Sequence, residues 1–518
     1  MAKEKSIIII GAGIAGLSAG YYGSINGFKV TILEKAEKAG GQCTSWKHED
    51  YTINGCIHWL VGSGPGNKMY ELWKELGAIH GTEMVNHDRF AHFENVEGED
   101  VILFCDPDKL KAHLLGLAPE EKRFIHSFTR AIRVLKESHN FHPNGKEQSF
   151  SNIWANLGQS FKGFYVYREI LKWARYSCGD IAKKIENPYL KTLFFGLGKD
   201  MPIIAILFTL GWMNNQQAGY PVGGSGHFTA KIVDKFLASG GAIQYQAPVK
   251  EILVRNDCAK GIILEDGRKL YADYVVSAAD GYTTIYHMLQ GKYKNKKIDR
   301  YYLSFPLFKP VLFASFGINY PFKGLEGTAL GRSFPLDNPL KAGTTVHNRL
   351  SVQIYNFDPT LAPEGKTLIT SMIETDYEYW KALAKDQDKY KKEKGRFLMD
   401  LLERLTARFP AIMGKVEMMD LATPITYENY TGVYKGSYEG WRLTKDTFMK
   451  KMKKKLPGLE NFYMAGQWVE PGGGLPPSAM SGKRVIQMIC KQEKQKFIPS
   501  LPSVATTNDF QKVIVEHN

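Results

Sequence analysis

The chain has 518 residues, 44% hydrophobic and 23% charged, with a formal net charge of +14. That length exceeds what one core supports and predicts two to four structural units of an ordinary soluble globular protein. Six scattered cysteines (Cys43, Cys56, Cys105, Cys178, Cys258 and Cys490) without a CxxC pair exclude a disulfide scaffold or a zinc site and fit a reducing cytosol.

The opening "MAKEKSIIIIGAG" starts basic, but its apolar run is four isoleucines, which reads as a strand rather than a signal peptide. A helix over 14–25 and a second strand over 28–35 complete a βαβ opening. Helical patterns dominate from about 68 to 215; in 119–139, Ile125, Phe128, Ile132 and Leu135 fall at helical spacing behind Pro-Glu-Glu. The longest apolar run, 201–213, is shorter than the roughly 20 residues of a membrane-spanning helix. In 221–254 a glycine-rich turn precedes a helix bearing Phe228, Ile232 and Phe236, which Gly240 and Gly241 end before a strand pair. A hairpin turning at Glu265-Asp266-Gly267 runs into a last strand near 280. Strands return over 308–375, an amphipathic helix covers 395–409, and a short strand at 462–466 leads through glycines into a helix from about 478. The last 20 or so residues read as a loose tail.

Gly11, Gly13 and Gly16 form GxGxxG between a strand and a helix. Gly11 permits a tight turn, Gly13 lets a pyrophosphate approach the backbone, and Gly16 lets helix and strand pack closely. The N–H groups of Ile14 and Ala15, at the positive end of the helix, face the phosphates. Glu34, beside Lys35 at the end of the second strand, stands where a carboxylate accepts both ribose hydroxyls. A nicotinamide domain would continue in βαβ units. Here "KAGGQCTSW" follows instead, with Gly40 and Gly41 leaving room for an extended ligand and Gln42 able to bond its phosphates or ribitol. A second glycine-rich turn, Gly473-Gly474-Leu475-Pro476, stands where it can hold the far end of a long cofactor and stabilise an anionic reduced flavin. FAD is the expected cofactor.

These motifs, with "PVGGSGHFTAKIVDKFLASGGAIQYQAPVKEI", "GRKLYADYVVSAAD" and "AGQWVEPGGGLPPSAMSG", resemble the phytoene desaturase, carotenoid isomerase and retinol saturase family of amine-oxidase-like flavoproteins. The resemblance covers three blocks, roughly 5–65, 220–285 and 420–490. It implies an α/β plus α+β fold: a Rossmann-like FAD-binding domain of the glutathione-reductase and amine-oxidase type, with an inserted mixed α/β substrate domain. The FAD-binding domain would be discontinuous (1–75, 220–300 and 415–495), the substrate domain would take 76–219 and 301–414, and 496–518 would form the tail. By the same resemblance, Val249 meets the adenine, Ala278 the pyrophosphate, and Gly466 with 473–476 the ribitol and ring. Gln467 departs from the acidic residue many relatives carry there.

The segment 53–64 is expected beside the flavin ring, with His58 as proton donor or acceptor and Trp59 as a pocket wall; a histidine that merely packs is the competing reading. Cys56 shows no partner and reads as structural. His139 and His142 lie in a polar loop without further ligands, so no metal is expected. Apolar insertions at 161–167, 189–198 and 201–213 suit a lipophilic substrate, although each alone reads as core. The leading expectation is an oxidoreductase acting on carbon–carbon bonds of an isoprenoid or polyene by hydride transfer at flavin N5. An amine oxidase acting on C–N bonds is the alternative, and a non-catalytic flavin-bearing binding protein the third. Lysines cluster at 291–302 and 450–458. They read as solvated surface, then as a patch for an anionic membrane worth roughly 1 kcal/mol per basic residue. Nucleic acid is not expected, since no recognition module accompanies the charge. A cytoplasmic location, peripheral at a membrane surface, follows from these readings.

Overall fold

The isoleucines at 7–10 are buried because their strand is covered on both faces, as in parallel sheets generally. The computed structural model describes residues 4–136, 161–325, 327–445, 447, 450 and 452–500. Ser6–Ile10 is the central strand of a five-stranded parallel sheet, flanked by Lys29–Leu33 and Ala242–Gln244 on one side and by Tyr274–Ser277 and Phe462–Met464 on the other. Strands from the beginning, middle and end of the chain therefore share one sheet. Ligands bind at the carboxyl ends of such strands, where the order reverses direction. That point is the end of Ile10.

Two helices cross tightly over this sheet. Ile14–Ile25 and Leu475–Gln492 approach so closely that a Cβ on Gly482 would lie 2.3 Å from the Ala15 carbonyl oxygen. The Ser18 hydroxyl donates to the Ala479 carbonyl at 2.7 Å across the same crossing. The last helix starts at Leu475, earlier than 478, because Pro476 and Pro477 are compatible with a first turn that needs no N–H from them.

A seven-stranded sheet forms the second layer, ordered Val416–Ala422, Val311–Ile318, Thr367–Glu374, Thr345–Ile354, Arg332–Ala342, Arg89–Val96 and Glu99–Phe104. Arg332–Ala342 and Arg89–Val96 pair in parallel; the other neighbours run antiparallel. The last two strands interrupt a region whose sequence reads as helical. They turn through Asn95, Glu97 and Gly98, all at positive φ. Glu94, buried on the first of them, binds Arg332 at 2.7 Å and Arg408 at 2.6 Å, joining strand to sheet and helix. The helix Gln387–Arg408 packs Phe397, Leu401 and Leu405 onto the sheet, four residues apart. Its first two turns carry no apolar stripe and escape a periodicity reading; Asp386 caps them by accepting from the Lys389 N–H at 3.2 Å.

Helices Lys122–Lys136, Phe161–Trp173, Pro188–Gly196 and Ile203–Asn214 enclose a separate apolar cluster around Phe128, Trp173 and Phe194. Ile203–Asn214 is buried on nearly all sides, which explains an apolar run with no polar face. No helix among the described residues is long and apolar enough to cross a membrane.

One lysine cluster is not wholly surface. Lys454 turns inward to Glu470 at 2.5 Å, and Arg484 joins the same carboxylate at 3.1 Å. A buried carboxylate holding two cations compensates charges that would otherwise be costly to desolvate. His139 and His142 lie outside the described residues, as do 501–518 of the tail. Gly482→Val is expected to wedge the helix crossing apart and to lower unfolding stability by about 1–3 kcal/mol. Urea unfolding measures this; an unchanged midpoint with an unchanged slope would contradict the tight crossing.

Candidate functional site

The first strand ends in Gly11, whose φ of +94° turns the chain sharply toward the helix. Its N–H donates to the Leu33 carbonyl at 2.8 Å, which ties the turn to the second strand. Gly16 has no room for a side chain, since a Cβ there would stand 1.9 Å from the Gly11 carbonyl oxygen. Gly13 differs. A Cβ at Gly13 would find no protein atom closer than 3.9 Å, so nothing in the fold itself demands glycine there. The demand fits a ligand backbone passing over it. Ile14 and Ala15 begin a helix whose start has no side-chain cap and no acid in the first turn, leaving its N–H groups for an anion.

Glu34 is buried, and its carboxylate accepts from the Ala12 N–H at 2.7 Å and the Ala36 N–H at 2.9 Å. Burial pushes its pKa up, against those two hydrogen bonds. The chain around Val249 is held to this same end, because the Ala247 N–H donates to the Glu34 carbonyl at 2.9 Å. Gly40 and Gly41 close over Gly13: Gly40 bridges Gly13 in parallel, and a Cβ on Gly41 would lie 3.3 Å from the Gly13 Cα. Ala278 completes the cleft. Its N–H donates to the Ile10 carbonyl at 2.9 Å, and its carbonyl oxygen lies about where side chains on Gly11 and Gly466 would point.

Two expected contact residues serve first as struts. Lys35 donates to the Asn429 carbonyl at 2.7 Å, and Gln42 donates through Nε2 to Thr431 Oγ1 at 2.8 Å. Both anchor the helix Pro424–Thr431 to the glycine turn. Gly466, at φ +99°, donates its N–H to Ser481 Oγ at 2.6 Å, and Gln467 packs beside Gly440. Gly472, Gly473 and Gly474 run at positive φ in succession, then Leu475 and Pro476 open a helix with no side-chain cap.

His58 and Trp59 lie on a segment fixed by a polar knot. Asn54 Oδ1 accepts from the Ser225 N–H at 3.0 Å and hydroxyl at 2.6 Å, while Ser225 Oγ accepts from the Ile57 N–H at 2.9 Å. The His58 ring is half-buried and its Nδ1 is both enclosed and unpaired. Burial pushes its pKa down to about 4, so the ring is neutral at pH 7. That removes the imidazolium from consideration as a proton donor there. The Trp59 ring stands 6.5 Å from His58 and 5.4 Å edge-on from Phe90, part of the helical insertion's cluster. Cys56, partnerless in the sequence, shares a hydrogen bond with the Cys43 thiol.

Glu439 and Asp280 escape the sequence reading. Glu439 packs against the glycine turn, since a Cβ on Gly473 would stand 2.7 Å from its carbonyl oxygen and 2.9 Å from its Cβ. Burial pushes the Glu439 carboxyl up to about 7. A lone acid between Tyr438 and Gly440 carries no motif, so only the fold brings it to the site. Asp280 accepts from the Thr283 N–H at 2.8 Å and the Tyr434 N–H at 2.9 Å, and burial raises it to about 6. It joins the end of one central strand to the C-terminal block. Among the described residues no group of three or more metal-ligating side chains converges.

Gly13→Ala is expected to fold, losing about 1 kcal/mol as a poorer helix cap, yet to bind FAD at least about tenfold more weakly. Glu34→Gln is expected to weaken FAD binding by about 10- to 100-fold through loss of charge-assisted hydrogen bonds worth about 1.5–3 kcal/mol. Flavin absorbance after gel filtration and calorimetric titration read both; full retention of flavin by Gly13→Ala would contradict the cleft.

Comparison with known proteins gives the family and the fold. The chain is 23% identical over 492 residues to a chloroplastic prolycopene isomerase of Daucus carota, covering 93% of this chain and 79% of that protein. It is 22% identical over 524 residues to a 4,4'-diapophytoene desaturase of Methylomonas sp, covering 96% and 97%. An oxidoreductase of Methanosarcina mazei shares the fold with a TM-score of 0.56 at 17% identity, covering 93% of this chain and 100% of that one. The model of the flavin-containing amine oxidoreductases matches residues 14–489, and the chain therefore belongs to that family as an FAD-dependent oxidoreductase.

Proposed function

We propose that this enzyme acts on carbon–carbon bonds of a lipophilic isoprenoid or polyene, by desaturation, saturation or isomerisation without net redox change. The observation that carries the reading is continuity: Trp59, next to His58, packs into the apolar cluster of the helical insertion, so the wall of the candidate site extends into a large apolar body. The chain's similarity to a prolycopene isomerase and a 4,4'-diapophytoene desaturase supports it. Within the chain, His58 and Trp59 are the residues we assign to the reacting face, and the glycines, Glu34, Val249, Ala278 and 466–476 to the cofactor. Residues 1–75, 220–300 and 415–495 would form the cofactor domain.

Bound FAD supplies a hydride acceptor or donor; the protein must place the substrate, exclude water and handle the accompanying proton. His58, neutral, orients and walls. Glu439 is the proton-handling group, because it packs on the glycine turn and its carboxyl titrates near neutrality. Tyr427, Tyr438 and Cys56 are the titratable groups that interact with its surroundings. Below about pH 7 Glu439 holds its proton and can deliver it; above, it is a carboxylate and can accept one. A turnover rate that rises with pH through about 7 marks proton removal, and one that falls marks delivery.

Glu439→Gln is expected to keep the yellow colour and to abolish that pH limb, with turnover lower by about 10²–10⁴-fold. A limb that persists in the variant would remove Glu439 from the reaction. Purified holoenzyme is expected to change the absorption of a bound polyene anaerobically. Peroxide release with amines and no reaction with polyenes would replace this reading with C–N oxidation. Exposed Lys292, Lys296, Lys297, Arg300 and the 86%-exposed Leu303 form the surface we assign to an anionic bilayer. Sedimentation with anionic but not neutral vesicles, lost in Leu303→Glu, tests it; equal pelleting with neither would make the patch mere solvated surface.

A further inference from the structure

We propose that Cys43 and Cys56 form a redox-active pair that hydrogen peroxide converts to a disulfide, tying the Gly40-Gly41 turn to the segment that carries His58. The hairpin dictates the juxtaposition. Ser45–His48 pairs antiparallel with Tyr51–Asn54, Ser45 opposite Asn54. One step outward, the Gly55 N–H donates to the Thr44 carbonyl at 3.0 Å, which places those two residues opposite each other as a hydrogen-bonded pair. The next step puts Cys43 opposite Cys56 at a non-hydrogen-bonded position. Facing residues there have Cα atoms about 4.5 Å apart, inside the range a disulfide spans.

The two thiols are near enough for each to shift the other's titration. Their surroundings separate their roles. Thr229 Oγ1 lies 2.8 Å from the Cys43 carbonyl oxygen and 3.6 Å from Cys43 Sγ. Burial pushes the Cys43 thiol up, but its polar neighbours, Cys56 foremost, outweigh burial and bring it down. Cys56 moves the opposite way, raised by its bond to Cys43 and by burial. We assign Cys43, whose sulfur has the Thr229 hydroxyl beside it, as the nucleophile and Cys56 as the resolving thiol. By contrast, burial pushes Cys105 and Cys178 up to about 12, and each lacks a second cysteine against it in the described fold.

The chemistry balances with one oxidant. Cys43 sulfur, as thiolate, attacks one oxygen of hydrogen peroxide and breaks the O–O bond, giving a sulfenic acid and, with a proton, one water. The Cys56 sulfur then displaces the sulfenic hydroxyl as a second water, and the S–S bond closes. Two thiols are oxidised by two electrons and one peroxide is reduced. A dithiol reductant reverses it. Peroxide, small and uncharged, is suited to reach Cys43, which is only 2% exposed. This inference does not depend on the substrate proposed above.

Full-length protein, reduced, desalted and exposed to a stoichiometric excess of hydrogen peroxide, is expected to lose two of its six thiols. Peptide mapping should recover Cys43 linked to Cys56, with dithiothreitol restoring both. Cys258→Ser, remote from the pair, should leave the link unchanged. In Cys56→Ser, Cys43 should instead accumulate as a sulfenic acid trapped by dimedone. Recovery of both cysteines as free thiols while Cys258 oxidises would overturn the proposal. So would over-oxidation of Cys43 in the wild-type chain without any link to Cys56.

Discussion

The structure depends on backbone meeting backbone at one point. There the Gly11 turn, the Ala278 carbonyl and Gly466 converge, while the helices Ile14–Ile25 and Leu475–Gln492 cross above them with no side chain at Gly482 to hold them apart. Three stretches separated by hundreds of residues are thereby forced into one cleft. Side chains at Gly16 or Gly482 would meet backbone oxygens at 1.9 and 2.3 Å and would have kept these backbones apart.

Around that contact, polar groups are buried in pairs and triads that each join two distant segments. Glu34 holds the glycine turn, Asp280 reaches to Tyr434, Glu470 gathers Lys454 and Arg484, and Glu94 gathers Arg332 and Arg408. Each interaction satisfies a carboxylate that burial would otherwise make costly. Their shared effect is geometric: they hold glycine-rich loops, flexible as isolated peptides, in one arrangement. Glu439 stands outside this pattern. Burial raises its carboxyl, and among the described residues no cation pairs with it, which is the environment of a working acid or base rather than of a strut.

The helical insertion supplies a different kind of order. Its cluster of Phe128, Trp173, Phe194 and the largely apolar helix Ile203–Asn214 is a separate core. Trp59, beside His58, packs against that core through Phe90. The insertion's greasy sequence therefore serves packing in its interior, a use that composition alone does not separate from a substrate wall.

The sequence by itself determined the parts whose signal is local. The βαβ opening, GxGxxG, Glu34, the helix of Phe228, Ile232 and Phe236, and the second glycine turn are legible because their spacing is set by one turn of backbone or one strand. Gly11 and Gly16 are explained within a few residues of themselves. Only the tertiary structure decided what depends on contacts across hundreds of residues. It placed strands at 89–104 within a stretch whose patterns are mostly helical, turned Lys454 inward, set Glu439 against Gly473, gave Lys35 and Gln42 partners in the helix Pro424–Thr431, and brought the Cys43 and Cys56 thiols near each other. Periodicity reports which face of an element is buried; it holds no information about which distant element covers that face.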